Sequence, residues 1–355
     1  MVRAARHRAG AQLPCAISMR ECLTNRPAPR PRNGSRDIIR LIIATLAASG
    51  FCGALLAETK DWPFPQRSPA GAFLLATPSP SPPPGATPPP LGAPLRQESW
   101  EKLSNRQISH VGSEALAINP RGWSHGETED FIVHYRNFSD ALQIAREIEF
   151  DLWYVAKSLG AAKEQYAHKS HVYVFQDEKE WQVFVQEAHK PAWMHSLAVD
   201  DDLFLNIHGT GSGFDSHTLA HETTHAVVAR IYGKRHWPVW LSEGFAEYMG
   251  DTCNAARRGL PPGLNPRNLP AANLTVTELI AIWHYPNDSA AVAQLYDSAT
   301  KFVRYLFSKY PAELFPKFVD RLLDGTPAPL ALVEVYGNEF RDLPAFDKRF
   351  QTSIR

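Results

Sequence analysis

Beyond residue 98 the chain keeps two hydrophobic rhythms. Phe131-Ile132-Val133-His134-Tyr135, His171-Val172-Tyr173-Val174-Phe175 and Leu203-Phe204-Leu205-Asn206-Ile207 are short runs rich in β-branched and aromatic residues, the composition of buried strands. Residues 140–159 and 178–187 place apolar side chains at helical spacing, which predicts one long and one short amphipathic helix. From residue 215 onward the helical period dominates. Leu219, Ala220, Ala226, Val227, Val228 and Ile231 form the apolar stripe of a helix, with Asp215 and Ser216 as N-cap candidates and Gly233 as its stop. A second helix is predicted between Pro238 and Gly250, and a third after Tyr296-Asp297-Ser298-Ala299, with Phe302, Val303, Leu306 and Phe307 on one side. Strands first and helices afterwards make an α+β pattern.

The first hundred residues follow neither rhythm. Residues 1–40 carry nine Arg against two acids, Glu21 and Asp37, and residues 38–57 are almost wholly apolar. A basic stretch, an apolar stretch and small residues read as a secretory signal or an N-terminal membrane anchor over residues 1–57. The uninterrupted apolar run is 17 residues long, at the low edge for spanning a bilayer, and the arginines before it would hold the N-terminus inside. The expectation is therefore an exported protein, periplasmic or extracellular, either secreted or attached to the membrane through residues 38–57. Residues 58–97 are proline-rich, as in Pro78-Ser79-Pro80-Ser81-Pro82-Pro83-Pro84, and read as a disordered linker of polyproline II character. The folded domain is then residues 98–355, long enough to bury a substantial core.

Charge and cysteine content narrow the function. The chain has 37 basic and 37 acidic residues. Without residues 1–57 the balance is 28 basic to 35 acidic, which excludes a basic nucleic-acid surface. Cys253 is the one cysteine beyond residue 57, so no disulfide framework supports the domain.

The chemistry is concentrated in His221-Glu222-Thr223-Thr224-His225. On a helix, residues four apart share a face. His221 and His225 can point two imidazoles at one ion, and Glu222 can reach a water on it, the signature of a zinc metallopeptidase. A catalytic zinc needs a third protein ligand and an open position. His217 lies eight residues before His225, about 12 Å along a helix, so one ion cannot hold both. The metzincin continuation fails, because Val228 and Ile231 stand where Gly and His are needed. A carboxylate on a following helix is the next candidate, and Glu243 and Glu247 share a face there.

H-E-x-x-H followed about twenty residues later by Trp240-Leu241-Ser242-Glu243-Gly244-Phe245-Ala246-Glu247 resembles the gluzincin branch of the zincins, which includes thermolysin-like proteases and zinc aminopeptidases. The resemblance implies a zincin-like catalytic domain holding one Zn2+ per chain on His221, His225 and Glu243. It makes Glu222 the general base and Glu247 the group that orients a ligating histidine. It also implies that Tyr296 donates to the oxyanion, a role for which Tyr305, Tyr285, His284 and His236 are alternatives. In related folds a substrate peptide adds to the edge strand before the active helix, which would make Leu203, Phe204, Leu205, Asn206 and Ile207 the substrate-binding strand. The Gly-x-Met-Glu-Asn segment of the aminopeptidases is missing, which favours cleavage within chains. The expected function is an exported zinc peptidase acting on a peptide or protein. The alternatives are a non-catalytic zincin-fold protein that binds peptides or cell-envelope partners, and a hydrolase of peptidoglycan stem peptides.

Overall fold

A computed structural model describes residues 95–190, 194–208, 215–233, 235–260, 274–337 and 340–353. The chain divides into residues 1–76 and 77–355, and all the described residues fall in the second unit. In order, the elements are β1 (Arg96–Glu98), α1 (His110–Ala117), β2 (Ser124–Glu127), β3 (Phe131–Tyr135), α2 (Phe138–Ser158), β4 (Ser170–Phe175), α3 (Glu178–Glu187), β5 (Ser196–Val199) and β6 (Asp202–Asn206). Helices complete the chain: α4 (Ser216–Tyr232), α5 (Val239–Arg257), α6 (Val276–Ile280), α7 (Ser289–Lys309), α8 (Leu314–Leu323), α9 (Ala328–Tyr336) and α10 (Leu343–Ser353). The architecture is α+β.

The strands form one mixed sheet in the order β1-β2-β3-β4-β6-β5. β3, β4 and β6 run parallel, and β1, β2 and β5 extend the sheet antiparallel. The parallel strands are buried along their whole length, as strands covered on both faces must be. Alternation splits their side chains. Phe131, Val133, Val172, Val174, Leu203 and Leu205 join the main core with α2, α4 and α5. Tyr173, Phe175 and Phe204 face a smaller core containing Trp123, Trp181 and Phe184.

The pairing corrects the substrate-strand expectation. β6, with Leu203, Phe204, Leu205 and Asn206, is hydrogen-bonded to β4 on one side and to β5 on the other. Ile207 donates its N–H to the Phe175 carbonyl. This strand has no free edge to offer a peptide. The edge belongs to β5, four residues whose brevity hides any period. Two helix boundaries also move. α5 runs through Gly250 to Arg257, because that helix stays buried past the glycine. Tyr296 sits inside α7, whose cap is Asp288. The folded part starts by Leu95, which is buried, so Arg96 and Gln97 of the expected linker belong to β1.

The expected export signal or membrane anchor is likewise corrected. Among the described residues no helix is long and apolar enough to cross a membrane. Residues 38–57, which carried that expectation, lie outside the described residues. The N-terminal apolar anchor is therefore not supported.

On the sheet face away from α4, three histidines from adjacent strands form a row. His125 and His134 stand 2.8 Å apart through their Nδ1 atoms, and His134 Nε2 lies 2.9 Å from His171 Nδ1. His134 and His171 are buried, and His171 Nε2 has no hydrogen-bond partner. Burial holds both rings neutral. His134 is pushed well below its usual range, and His171 down to about 4 despite the nearby Asp201 and Glu127.

Two predictions follow from this framework. A Cβ on Gly244 would lie 2.6 Å from the Ala299 carbonyl oxygen of α7, so Gly244→Ala should cost roughly 1–3 kcal/mol in denaturant unfolding by forcing α5 and α7 apart. The second concerns pH. A histidine held near 4 in the folded state and 6.5 unfolded contributes stability that is fully present above pH 6.5 and lost as pH falls toward 4. The stability advantage of the wild type over His171→Asn should therefore shrink by roughly 3 kcal/mol across that window. An advantage that stays constant with pH would refute the buried neutral row.

Candidate metal centre

The helix carrying His221 and His225 is fixed at both ends. Asp215 caps it by accepting from the His217 and Thr218 amides, satisfying two of the first-turn N–H groups. Ser216 Oγ donates to Glu147 of α2 at 2.7 Å, and Arg257 of α5 donates to the Ser216 carbonyl at 2.8 Å. At the other end the buried Arg230 guanidinium donates to the Asp130, Tyr166 and His168 carbonyls. Gly233 ends the helix at φ +61°, a conformation that favours glycine. With Leu219, Ala220, Ala226 and Val227 buried, the ring-bearing face turns toward α5.

α5 answers with a carboxylate. Trp240 and Phe245 are fully buried, against Phe302 and Phe318 for the first and against Trp237, Phe307 and Phe315 for the second. These aromatics set the rotation of the helix, and Glu243, between them, faces α4. His221, His225 and Glu243 each bring one donor atom within 4.8 Å of the others. His221 Nε2 and His225 Nε2 are 3.1 Å apart. Glu243 Oε2 lies 3.5 Å from His221 Nε2, and Oε1 3.6 Å from His225 Nε2.

These separations test the fit of zinc. Donors bonded tetrahedrally at about 2.0–2.1 Å stand about 3.4 Å from one another, and the separations here, with Glu243 turning a different oxygen to each ring, run from 3.1 to 3.6 Å. The donor set, two imidazoles and a carboxylate, suits the same ion. Glu243 Oε2 is buried without a hydrogen bond, an orphaned acceptor of the kind that a cation satisfies. The residues present therefore fit a zinc ion.

The outer nitrogens are held as ligand nitrogens need to be. His221 Nδ1 is 3.1 Å from Glu247 Oε1, and His225 Nδ1 is 3.2 Å from Ser242 Oγ. With Nδ1 facing a polar group on the outer side, each ring can turn its Nε2 lone pair inward. Glu247 is braced in turn. His217 Nε2 lies 3.7 Å from Glu247 Oε2 and 3.3 Å from Asp251 Oδ1, and Arg304 of α7 donates to Asp251 Oδ2 at 2.9 Å. His217 thus packs behind the centre rather than within it.

Charge sets the character of the cluster. Burial disfavours ionising Glu243, but His225 and His221 outweigh it and hold the carboxyl well below the usual range. Burial also disfavours the His221 cation, but Glu243 and Glu247 outweigh it and hold the ring well above its usual range. The site attracts positive charge, a proton or a metal ion.

Around this cluster, Ser196 Oγ of β5 donates to Glu222 Oε1 at 2.8 Å, tying the expected base to the sheet edge. The Tyr285 hydroxyl donates to Glu243 Oε1. Tyr296 lies nearly parallel to the His221 ring at 6.5 Å between centroids. Burial raises its phenol well above the usual range, helped by Glu243 and Tyr285. Tyr285 and Tyr296 therefore both face the carboxylate. Tyr305 packs away from it, against Tyr310, Phe346 and Phe350, and His236 is exposed. Sequence reasoning missed Ser196 and Ser242. Ser196 carries no signal of its own, whereas Ser242 lies beside Glu243 and a helical projection finds it.

Glu247→Ala should weaken zinc binding about ten- to a hundredfold in competition with a chromophoric chelator, with Ser242→Ala weakening it less. Unchanged affinity in both would mean that the outer nitrogens do not orient the rings.

No protein-family model matches the chain, and no curated protein matches it.

Proposed function

We propose that the chain is a zinc-dependent peptidase with a zincin-like catalytic domain, hydrolysing peptide bonds within a chain. The observation that carries this reading is the set of three donor separations, 3.1, 3.5 and 3.6 Å, among His221, His225 and Glu243. Zinc held there supplies Lewis-acid polarisation of the scissile carbonyl and of a water.

The chain's own residues do the rest. Glu222 follows His221 directly in α4. It accepts the proton of the attacking water and returns it to the leaving amine. Ser196 fixes one oxygen of that carboxylate, leaving the other for the proton. Tyr296 and Tyr285 bring two phenol groups to the Glu243 side. A raised phenol pKa keeps both protonated at neutral pH; the Tyr285 proton is given to Glu243, so Tyr296 is the donor to the developing oxyanion. The free edge of β5 offers main-chain groups to which a substrate adds as a further strand, beside Glu222.

Glu222→Gln tests this assignment. Zinc content should stay at one ion per chain, while turnover of a peptide library falls about a hundred- to ten-thousandfold. The reading is wrong if zinc-loaded wild type cleaves nothing, or if the variant cleaves at the wild-type rate.

A further inference from the structure

Beside the cluster lies a cavity of about 300 Å³ lined by Trp237, Val239, Ser242, Glu243, Trp283, His284 and Tyr285. It shares Ser242 and Glu243 with the proposed metal centre. Its outer wall is the segment Trp283-His284-Tyr285, between α6 and α7. Five large apolar side chains are exposed among the described residues, and two of them, Trp283 at 51% and Tyr285 at 55%, stand on this wall. Exposed aromatics so grouped mark a recognition surface rather than scattered surface apolarity. Tyr285 is nonetheless anchored, its hydroxyl on Glu243, so the wall is held at the centre.

The back of the cavity is Trp237 and Val239, both buried. Glu243 is the one carboxylate in the lining and no Lys or Arg joins it. With 3% of its surface exposed and its two oxygens facing the His221 and His225 rings at 3.5 and 3.6 Å, Glu243 offers no free anion to a basic side chain. The volume is at the lower limit for a ligand pocket, room for one large side chain.

We propose that this cavity is the specificity pocket of the enzyme, taking one large apolar side chain, aromatic best, from a substrate residue adjoining the scissile bond. The proposal rests on the peptidase reading for its substrate, but the pocket can be tested without turnover. Stacking of a phenyl group between Trp283 and the Trp237–Val239 floor removes apolar surface from water on both sides.

The test uses the full chain carrying Glu222→Gln, loaded with zinc, and capped pentapeptides that differ only in a central Phe, Leu, Ala, Glu or Lys. Binding is followed by intrinsic tryptophan fluorescence. The Phe peptide should bind about tenfold or more tighter than the Ala peptide, with Glu and Lys no better than Ala. Adding Trp283→Ala should reduce the Phe preference to about threefold or less, and Trp283→Phe should restore it. Trp283 is half exposed between helices, so Trp283→Ala should keep the wild-type melting temperature. Equal binding of all five peptides, or a Phe preference indifferent to Trp283→Ala, would overturn the pocket. Cleavage by the wild type is scored separately. A Trp283-dependent Phe preference without any cleavage retains the pocket and defeats the peptidase reading. Cleavage with no such preference does the reverse.

Discussion

Three carboxylates and two imidazoles crowd together where α4 meets α5, and everything else in the domain answers to that concentration of charge. Glu243 is 3% exposed and Glu247 is largely enclosed. An ionised carboxylate in such a place costs several kcal/mol unless it is paired. Here Glu243 faces both rings, Glu247 faces His221, and Glu222 accepts from Ser196. The balance is stable only while the two helices keep their spacing and rotation, since pairwise energies at 3–4 Å change steeply with distance. Gly244 lets the α5 backbone lie close against the Ala299 carbonyl of α7, which fixes where α5 sits. Trp240 and Phe245, on either side of Glu243, set the rotation.

That demand explains why charged groups far from the cluster are buried at all. Arg257 donates to Asp151 of α2 and to the Ser216 carbonyl, joining α2, α4 and α5 at one end. Arg230 gathers three carbonyls at the other. Both guanidiniums are donor-rich and planar, suited to several carbonyls or carboxylates at once. Each stands at an end of α4, and neither contributes a donor to the cluster. They hold the helix against axial sliding, which would carry His221 and His225 out of reach of Glu243.

Much of this was legible in the residues, for identifiable reasons. A helical period is long enough to be read with confidence, so α4, α5 and the i, i+4 facing of His221 with His225 and of Glu243 with Glu247 emerge from spacing alone. Asp215 and Gly233 announce their helix because capping is local chemistry. Strands β3, β4 and β6 show through as buried runs, since both their faces are apolar. What failed was non-local. Strand order is a property of pairing, so nothing in Leu203, Phe204 and Leu205 reveals that β5 covers their edge. β1, β2 and β5 are three or four residues long, too short to carry a period. Gly250 looked like a stop, but buried packing on both sides carries α5 through it. There a Cβ would meet the His217 ring at 2.7 Å, so the glycine makes room for a side chain behind the centre rather than ending the helix.

The two flanks of the cluster differ in how they are built. On one side, Glu222 is bound to Ser196, a residue of the sheet, and the sheet is rooted in the main core. On the other, Tyr285 reaches Glu243 from a segment without regular structure between α6 and α7. The sheet side gives the general base a fixed bearing, as proton transfer requires a reproducible donor–acceptor distance. The segment side contributes no metal-binding atom, so its residues other than Tyr285, whose hydroxyl holds Glu243, can change without disturbing the three separations. Selectivity for a side chain is worth only a few kcal/mol and tolerates such a wall. Loops commonly carry recognition while a rigid scaffold positions it, and here one tyrosine hydroxyl joins the recognition wall to the carboxylate at the centre.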